Sequence, residues 1–246
     1  MTHQQQKTAI VTGASRGIGA AIAERLAGEG FSVVVNYSSD AAPAEALVGK
    51  IGERGGHALA VKADVGDAAA VARLFDAAET AFGGVDVLVN AAGVLTVLPL
   101  ADIGEEEYDR HFAVNTKGTF NTLRQAAGRL RKGGRIVNFS STTLALNLPG
   151  YAIYNGTKAA VEAFTHVFAK ELRGREITVN AVAPGPVATE LFLRGKSQEL
   201  VAQFAKMPPL ERLGQPDDIA GVVAFLAGPD AGWINGQVLR ANGGLA

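Results

Sequence analysis

Seven short apolar runs, at residues 8–12, 32–36, 58–62, 85–90, 135–139, 177–182 and 237–240, alternate along this chain with segments of helical period. That rhythm constrains the fold more than any single motif does. The runs are apolar almost throughout instead of alternating with polar residues, as strands buried on both faces require. Between them, Val71, Leu74, Phe75, Ala78 and Phe82 recur at helical spacing, as do Ala44, Leu47, Val48 and Ile51, each set with polar residues opposite. Strands alternating with amphipathic helices predict an α/β architecture: a doubly wound, seven-stranded parallel sheet with helices on both faces.

A chain of 246 residues without a linker-like stretch reads as one domain spanning 1–246, with a flexible polar tail at 1–6. Its 48% hydrophobic and 19% charged content fits a soluble globular enzyme. A net charge of -1 gives no electrostatic reason to bind nucleic acid or an anionic membrane. There is no cysteine, which excludes disulfides, thiolate metal sites and a thiol nucleophile, and fits a reducing compartment. The first seven residues lack the apolar core of a signal peptide, and no apolar stretch is long enough to span a bilayer. A cytoplasmic location is the expectation. His3, His57, His111 and His166 are scattered without ligand spacing, so they are read as surface or packing residues and no metal site is inferred.

The first strand runs into Thr12-Gly13-Ala14-Ser15-Arg16-Gly17-Ile18-Gly19, followed by a helix carrying Ile18, Ala21, Ile22 and Leu26. Strand, glycine turn and helix in that order form a Rossmann-type phosphate site. Glycines permit the tight turn and close backbone approach, and free N–H groups at the helix start favour a dinucleotide's pyrophosphate. The spacing is G-x-x-x-G-x-G, so context carries the assignment. Coenzyme choice turns on the end of the second strand, where a carboxylate would take the ribose 2′-OH and repel a 2′-phosphate. Here it reads Val35-Asn36-Tyr37-Ser38, without an acid. Arg16 could meet the phosphate, with Asn36 and Ser38 donating hydrogen bonds, which favours NADP(H). The competing arrangement has Arg16 in solvent and Asp40 folded back onto the ribose.

Tyr154 precedes Lys158 by four residues, and Ser141 lies upstream just after Ile136-Val137-Asn138-Phe139. Residues four apart share a helix face, so a phenol and an ammonium can be neighbours there. A lysine so placed would draw the phenol down from its free pKa of about 10 toward the working range of an acid–base catalyst. Segment 157–172 spreads apolar residues around much of a helix and needs cover on two sides, which predicts self-association as a homotetramer or dimer. Segment 186–209 sets glycine and proline around Leu191-Phe192-Leu193 and reads as a mobile lid over substrate.

Taken together, Thr12 to Gly19, Asn90-Ala91-Ala92-Gly93, Asn115, Ser141, Tyr154, Lys158 and Pro184-Gly185 resemble the short-chain dehydrogenase/reductase family along essentially the whole chain. The text looks most like the 3-oxoacyl-[acyl-carrier-protein] reductase branch and its ketone-reducing relatives. The resemblance implies Tyr154 as general acid, Ser141 as the hydrogen-bond donor to the carbonyl oxygen, and Lys158 on the nicotinamide ribose. Asn115 would hold a water linking Lys158 to solvent. It further implies Gly13, Ser15, Arg16, Gly17, Ile18 and Gly19 at the phosphates, and Asp64 and Val65 at the adenine edge; Asn36, Tyr37 and Ser38 are counted among the coenzyme contacts from their place at the end of the second strand. Asn90, Ala91 and Gly93 would flank the adenine ribose, and Pro184, Gly185, Val187 and Thr189 the nicotinamide end. Ala91 departs from the family, which usually has a second asparagine there.

The expected activity is NADPH-dependent reduction of a ketone to a secondary alcohol. Pocket walls are expected from Thr142, Thr143, Leu144 and Leu146, from Val94-Leu95-Thr96, and from Tyr151, Val187, Leu191 and Phe192. These are mostly apolar and suit a ketone with a hydrocarbon or aromatic flank, including a 3-oxoacyl thioester. Arg124, Arg129, Arg131, Lys132, Arg173 and Arg175 could receive an acyl-carrier protein, or could serve helix ends and solubility. Two rivals stay open: an alcohol or sugar dehydrogenase working oxidatively, and a nucleotide-sensing protein without chemistry.

Overall fold

In the computed structural model, which describes residues 6–246, seven strands make one parallel sheet. They are β1 (Thr8–Thr12), β2 (Ser32–Tyr37), β3 (His57–Lys62), β4 (Val85–Asn90), β5 (Leu130–Phe139), β6 (Thr178–Pro184) and β7 (Val238–Ala241). Their order across the sheet is β3-β2-β1-β4-β5-β6-β7. The helices are α1 (Gly17–Gly28), α2 (Ala42–Glu53), α3 (Ala68–Phe82), α4 (Glu105–His111), α5 (Gly118–Arg129), α6 (Thr143–Leu146), α7 (Ala152–Glu171), α8 (Glu190–Leu193), α9 (Gln198–Lys206) and α10 (Pro216–Ala227). A π-turn, Phe112–Lys117, joins α4 to α5. Of the expected tail, residues 1–5 lie outside the described residues.

Alternation along each strand divides the core into two apolar layers. Val11, Val33, Val35, Val87, Val89 and Val137 face Ile22 and Leu26 of α1, Leu47 and Ile51 of α2, and Ile219 and Val223 of α10. Ile10, Val34, Leu88 and Ile136 face the other way, onto Leu74 and Phe75 of α3 and Leu123 of α5, with Phe164 and Phe168 of α7 packed against them. The Rossmann-type sheet expected from the alternation is therefore present. Strand β5 begins at Leu130, well before its apolar run, because Leu130 pairs with Val85 ahead of a register shift that precedes Arg135. The polar and glycine residues Arg131-Lys132-Gly133-Gly134 hide that start.

A buried polar ladder crosses the second layer near the strands' C-terminal ends. Thr122 Oγ1 donates to Asn90 Oδ1 at 2.8 Å, Asn90 Nδ2 to Asn138 Oδ1 at 2.9 Å, and Asn138 Nδ2 to Thr165 Oγ1 at 2.9 Å. These bonds satisfy buried amides and tie α5 and α7 to β4 and β5. Strand order reverses between β1 and β4, and a crevice opens there beyond the strand ends, as open α/β sheets require. The expected lid segment folds as α8 and α9, held to each other by an edge-to-face contact of Phe192 and Phe204 at 5.3 Å. Among the described residues no helix is long and apolar enough to cross a membrane.

Candidate active site

The crevice is a cleft of about 570 Å³ at the C-terminal edge of the sheet. Of the site residues named from the sequence, all line it except Asn90 and Asn115. At one end stands the glycine loop. Gly13 has φ +62°, and a Cβ on it would fall 2.7 Å from Ala92 Cα; a Cβ on Gly19 would fall 2.4 Å from Gly13 O. The loop is thus closed against β4's exit at a spacing only glycine permits. Helix α1 then begins with first-turn amides that have no partner within the helix, on Gly17, Ile18 and Gly19, beside the cleft. A cradle of backbone donors with no side chain in the way suits a dinucleotide's pyrophosphate, so the residues present fit the coenzyme.

At the end of β2 the structure corrects one expectation. Asn36 is buried and its amide is wholly committed: Oδ1 accepts from Gly13 N–H at 3.2 Å, and Nδ2 donates to Ala63 O at 3.0 Å, with Tyr37 O and Val61 O at 3.3 Å. It braces the glycine loop from below and has no donor to offer a phosphate. Arg16 and Ser38 are exposed beside it and line the cleft. Arg16 Nη1 contacts Glu190 Oε2 at 3.3 Å, both side chains being largely in solvent. Asp40 instead accepts from Ala42 N–H at 3.1 Å at the entry to α2 and does not line the cleft.

Asn90 is the second correction. Its side chain belongs to the buried ladder with Asn138 and Thr122, so it shapes the floor under the cleft instead of flanking a ribose. Asn115 sits in the π-turn, fully buried. Its Oδ1 accepts from Val94 N–H at 2.8 Å, and its Nδ2 donates to Val94 O at 3.0 Å and Thr157 Oγ1 at 3.1 Å. It clamps the loop after β4 to α7. A Cβ on Gly93 would stand 3.4 Å from Asn115 Oδ1 and 3.7 Å from Lys158 Nζ, so the three groups meet around that glycine.

At the far end are the hydroxyls. Ser141 follows β5, while Tyr154 and Lys158 lie one turn apart on α7. Lys158 Nζ donates to Phe139 O at 2.8 Å and lies 5.6 Å from the centre of the Tyr154 ring. The expected lowering of the phenol's pKa is not what this arrangement produces on its own. Burial pushes Tyr154 up to about 12, offset in part by a hydrogen bond with Ser141 and reinforced by Tyr151. Burial likewise pulls Lys158 down to about 8. The ammonium is turned toward the Phe139 carbonyl, and loss of water outweighs its attraction for phenolate.

Around the hydroxyls the walls are Val94, Leu95, Thr142, Thr143, Leu146, Tyr151, Val187, Leu191 and Phe192, as the sequence suggested; Leu144 and Thr96 are not among them. Arg110, Leu148, Arg194, Phe204 and Leu245 also line the cleft, and the sequence reading missed them. Phe204 could have been found as the helically spaced apolar partner of Leu200 and Val201, whereas Leu245 arrives from the chain end without any local signal. His111 is buried, bonded to Glu107 O at 2.8 Å and accepting from Thr96 N–H at 3.1 Å. Among the basic residues considered for a carrier protein, Arg129 pairs with Asp76 and Glu79, Arg131 with Asp86, and Lys132 with Glu176, while Arg175 donates to Ala127 O and Leu130 O.

A phosphate cradle at one end of a doubly wound sheet and a hydroxyl–ammonium cluster at the other define an oxidoreductase of the nucleotide-binding α/β class. A family model described as enoyl-(acyl carrier protein) reductase matches residues 13–246. A short-chain type dehydrogenase/reductase of Picea abies is 48% identical, covering 97% of this chain and 92% of the relative. An NADPH-dependent aldehyde reductase-like chloroplastic protein of Arabidopsis thaliana is 44% identical over 97% of this chain and 93% of its own. The solved structure of an angucycline C-6 ketoreductase with bound NADP superposes with a TM-score of 0.92 at 38% identity, covering 97% of this chain and 95% of that one. The chain belongs to the short-chain dehydrogenase/reductase family of oxidoreductases.

The two displaced pKa values carry opposite signs in stability. Lys158 binds its proton less tightly folded than unfolded, so its contribution rises as pH climbs from about 8 to 10.5. Tyr154 binds its proton more tightly folded, so its contribution falls between pH 10 and about 12. Replacing Lys158 by Met should therefore remove a gain on the order of 3 kcal/mol between pH 8 and 10.5, measured as unfolding free energy against pH. Parallel curves for parent and variant over that interval would contradict a desolvated lysine.

Proposed function

We propose that this protein is an NADPH-dependent reductase converting an apolar-flanked ketone to a secondary alcohol. The observation that carries the reading is a single cleft with the glycine cradle and Arg16 at one end and Ser141, Tyr154 and Lys158 at the other. Bound coenzyme supplies a hydride to the carbonyl carbon. Tyr154 gives its proton to the carbonyl oxygen as negative charge builds there, and Ser141 hydrogen-bonds the same oxygen. Lys158, protonated below about pH 8, holds a positive charge beside the phenolate that remains and donates to the nicotinamide ribose. Asn115 would serve proton resupply through the second lone pair of its backbone carbonyl, because its side chain is committed to Val94 and Thr157 and the first lone pair accepts from Thr119 Oγ1 at 2.8 Å.

NADPH over NADH is supported by the absence of an acid at the end of β2, by Asp40 facing α2, and by the NADP(H) named for two of the similar proteins. The leucines, phenylalanine and tyrosine around the hydroxyls support a hydrocarbon or aromatic flank, and one similar structure is that of a ketoreductase. A 3-oxoacyl thioester on a carrier protein falls within this class, but the internal pairing of Arg129, Arg131, Lys132 and Arg175 favours a free ketone. The chain acts as one domain, with α8 and α9 closing over substrate. Phe120 of α5 and Val167 of α7 are 47% and 55% exposed, which supports burial against further copies in a dimer or tetramer.

Tyr154→Phe should keep its affinity for NADPH while turnover of an activated ketone falls at least roughly 100-fold, as removal of a general acid requires. Unchanged turnover would take the phenol out of the reaction. Arg16→Ala should raise the Michaelis constant for NADPH by roughly tenfold and that for NADH far less, through loss of a charge-assisted phosphate contact. Equal effects on both coenzymes would count against it. Sedimentation in dilute solution should give the mass of a dimer or tetramer, and a clean monomer would overturn the assembly.

A further inference from the structure

Tyr151 caps the start of α7, three residues before Tyr154, and its ring meets that of Tyr154 edge to face with centres 6.5 Å apart. Its backbone is held on both sides: the N–H donates to Leu148 O at 3.3 Å, and the carbonyl accepts from Asn155 N–H at 2.8 Å. The side chain lines the cleft and is 7% exposed. A phenol buried to that degree ordinarily has a partner for its hydroxyl. Among the described residues this one has none. Nor is its oxygen one of the side-chain atoms shut off from water without a bond, which are the hydroxyls of Thr8, Thr116 and Thr178. The oxygen thus keeps accessible surface, and the surface that Tyr151 borders is that of the cleft.

The polar side chains that share the cleft wall are already engaged. Ser140 donates to Glu162, Thr142 to Ala183 O at 3.1 Å, and Thr143 to Asn155 Oδ1 at 2.7 Å. Arg110 pairs with Glu107 at 3.2 Å, and Tyr154 has its hydrogen bond with Ser141. The Tyr151 hydroxyl stands apart from all of them in having its bonding capacity free.

A hydrocarbon group pressed against that hydroxyl would displace water from it and leave it unpaired, whereas an oxygen would take the water's place. Burial pushes the Tyr151 phenol above its ordinary pKa, so at neutral pH it keeps its proton and can donate, while its lone pairs can accept. With the two rings 6.5 Å apart, the phenols of Tyr151 and Tyr154 suit two oxygens of one small molecule, a few bonds from each other.

We propose that Tyr151 is a specificity-determining residue whose hydroxyl binds a second oxygen of the substrate, so that the cleft selects ketones bearing a carbonyl or hydroxyl group a few bonds from the reacting carbonyl over ketones flanked by hydrocarbon alone. The proposal deepens the reading of the cleft as a ketone reductase site with Tyr154 as its acid, and rests on it. Ethyl benzoylacetate and hexanophenone test it, being phenyl ketones of equal chain length in which either an ester group or methylenes follow the α-carbon. Each is compared with itself across enzyme variants, so their unequal intrinsic reactivity cancels. Tyr151→Phe keeps the ring and removes the oxygen. With NADPH it should lower kcat/KM for ethyl benzoylacetate roughly tenfold, the loss of about one neutral hydrogen bond, and leave that for hexanophenone unchanged or raised. The Michaelis constant for NADPH should stay where it was, which also reports that the variant is folded. The proposal is overturned if Tyr151→Phe leaves the ratio of the two kcat/KM values where it was in the parent, whether both fall together, as a role in packing or in the acidity of Tyr154 requires, or neither moves. A parent that reduces neither ketone would sink the ketone-reductase reading and the proposal with it; a parent that reduces them, with a preference that survives in Tyr151→Phe, would sink the proposal alone.

Discussion

Strands buried on both faces need helices above and below, and only parallel strands joined by helical crossovers supply both layers from one chain. Everything about the cleft follows from that constraint. All seven strands run the same way, so their C-terminal ends share one edge, and the glycine loop, the Ala91–Gly93 turn, Ser141 and Pro184-Gly185 arrive there from different parts of the sequence. The reversal of strand order between β1 and β4 then parts the crossovers and leaves room between them. Two apolar layers fix the edge rigidly, and the polar ladder through Asn90 and Asn138 locks α5 and α7 to it.

The two ends of the cleft have different electrostatics for one reason, which is how far each is withdrawn from water. At the glycine loop, Arg16 is exposed and the positive potential comes from unpaired amides and the start of α1, which attract an anion without requiring a desolvated charge. At the hydroxyl end Lys158 is 4% exposed, and burial alone brings its ammonium to about 8. A coenzyme spanning the cleft would bring its phosphates to the wetter end and its ribose hydroxyls to the drier one. Polar atoms reaching Lys158 would replace some of the hydration it lacks, favouring its charged form and through it the ionised phenol. Coenzyme bound in this way would couple to the acidity of Tyr154 through the lysine.

Periodicity made the sheet legible. Strands 8–12 and 85–90 were readable to the residue because apolar runs ended at glycine or at a polar turn, while the start of β5 was not, because its pairing begins across polar and glycine residues that carry no strand pattern. The convergence of distant motifs was readable only through their order. Wall residues such as Leu245 and Arg110 were invisible for the complementary reason: they reach the cleft by tertiary packing, and nothing in their own neighbourhood distinguishes them from surface residues.

The asparagines mark where sequence reading reaches its limit. Asn36, Asn90 and Asn115 stand at strand ends or beside the cleft, and an amide there looks equally suited to grip a ligand or to brace the scaffold. Burial decides between the two. An amide closed off from water must satisfy both its oxygen and its nitrogen, and the nearest unsatisfied groups are backbone atoms of the turns themselves. Asn36 takes up Gly13, Asn115 takes up Val94, and Asn90 takes up a second asparagine. Asn155 extends the same logic, since its amide bonds to Thr143 through both ends. In this fold the buried amides hold the loops, and the loops present hydroxyls, cations and backbone N–H groups to the cleft.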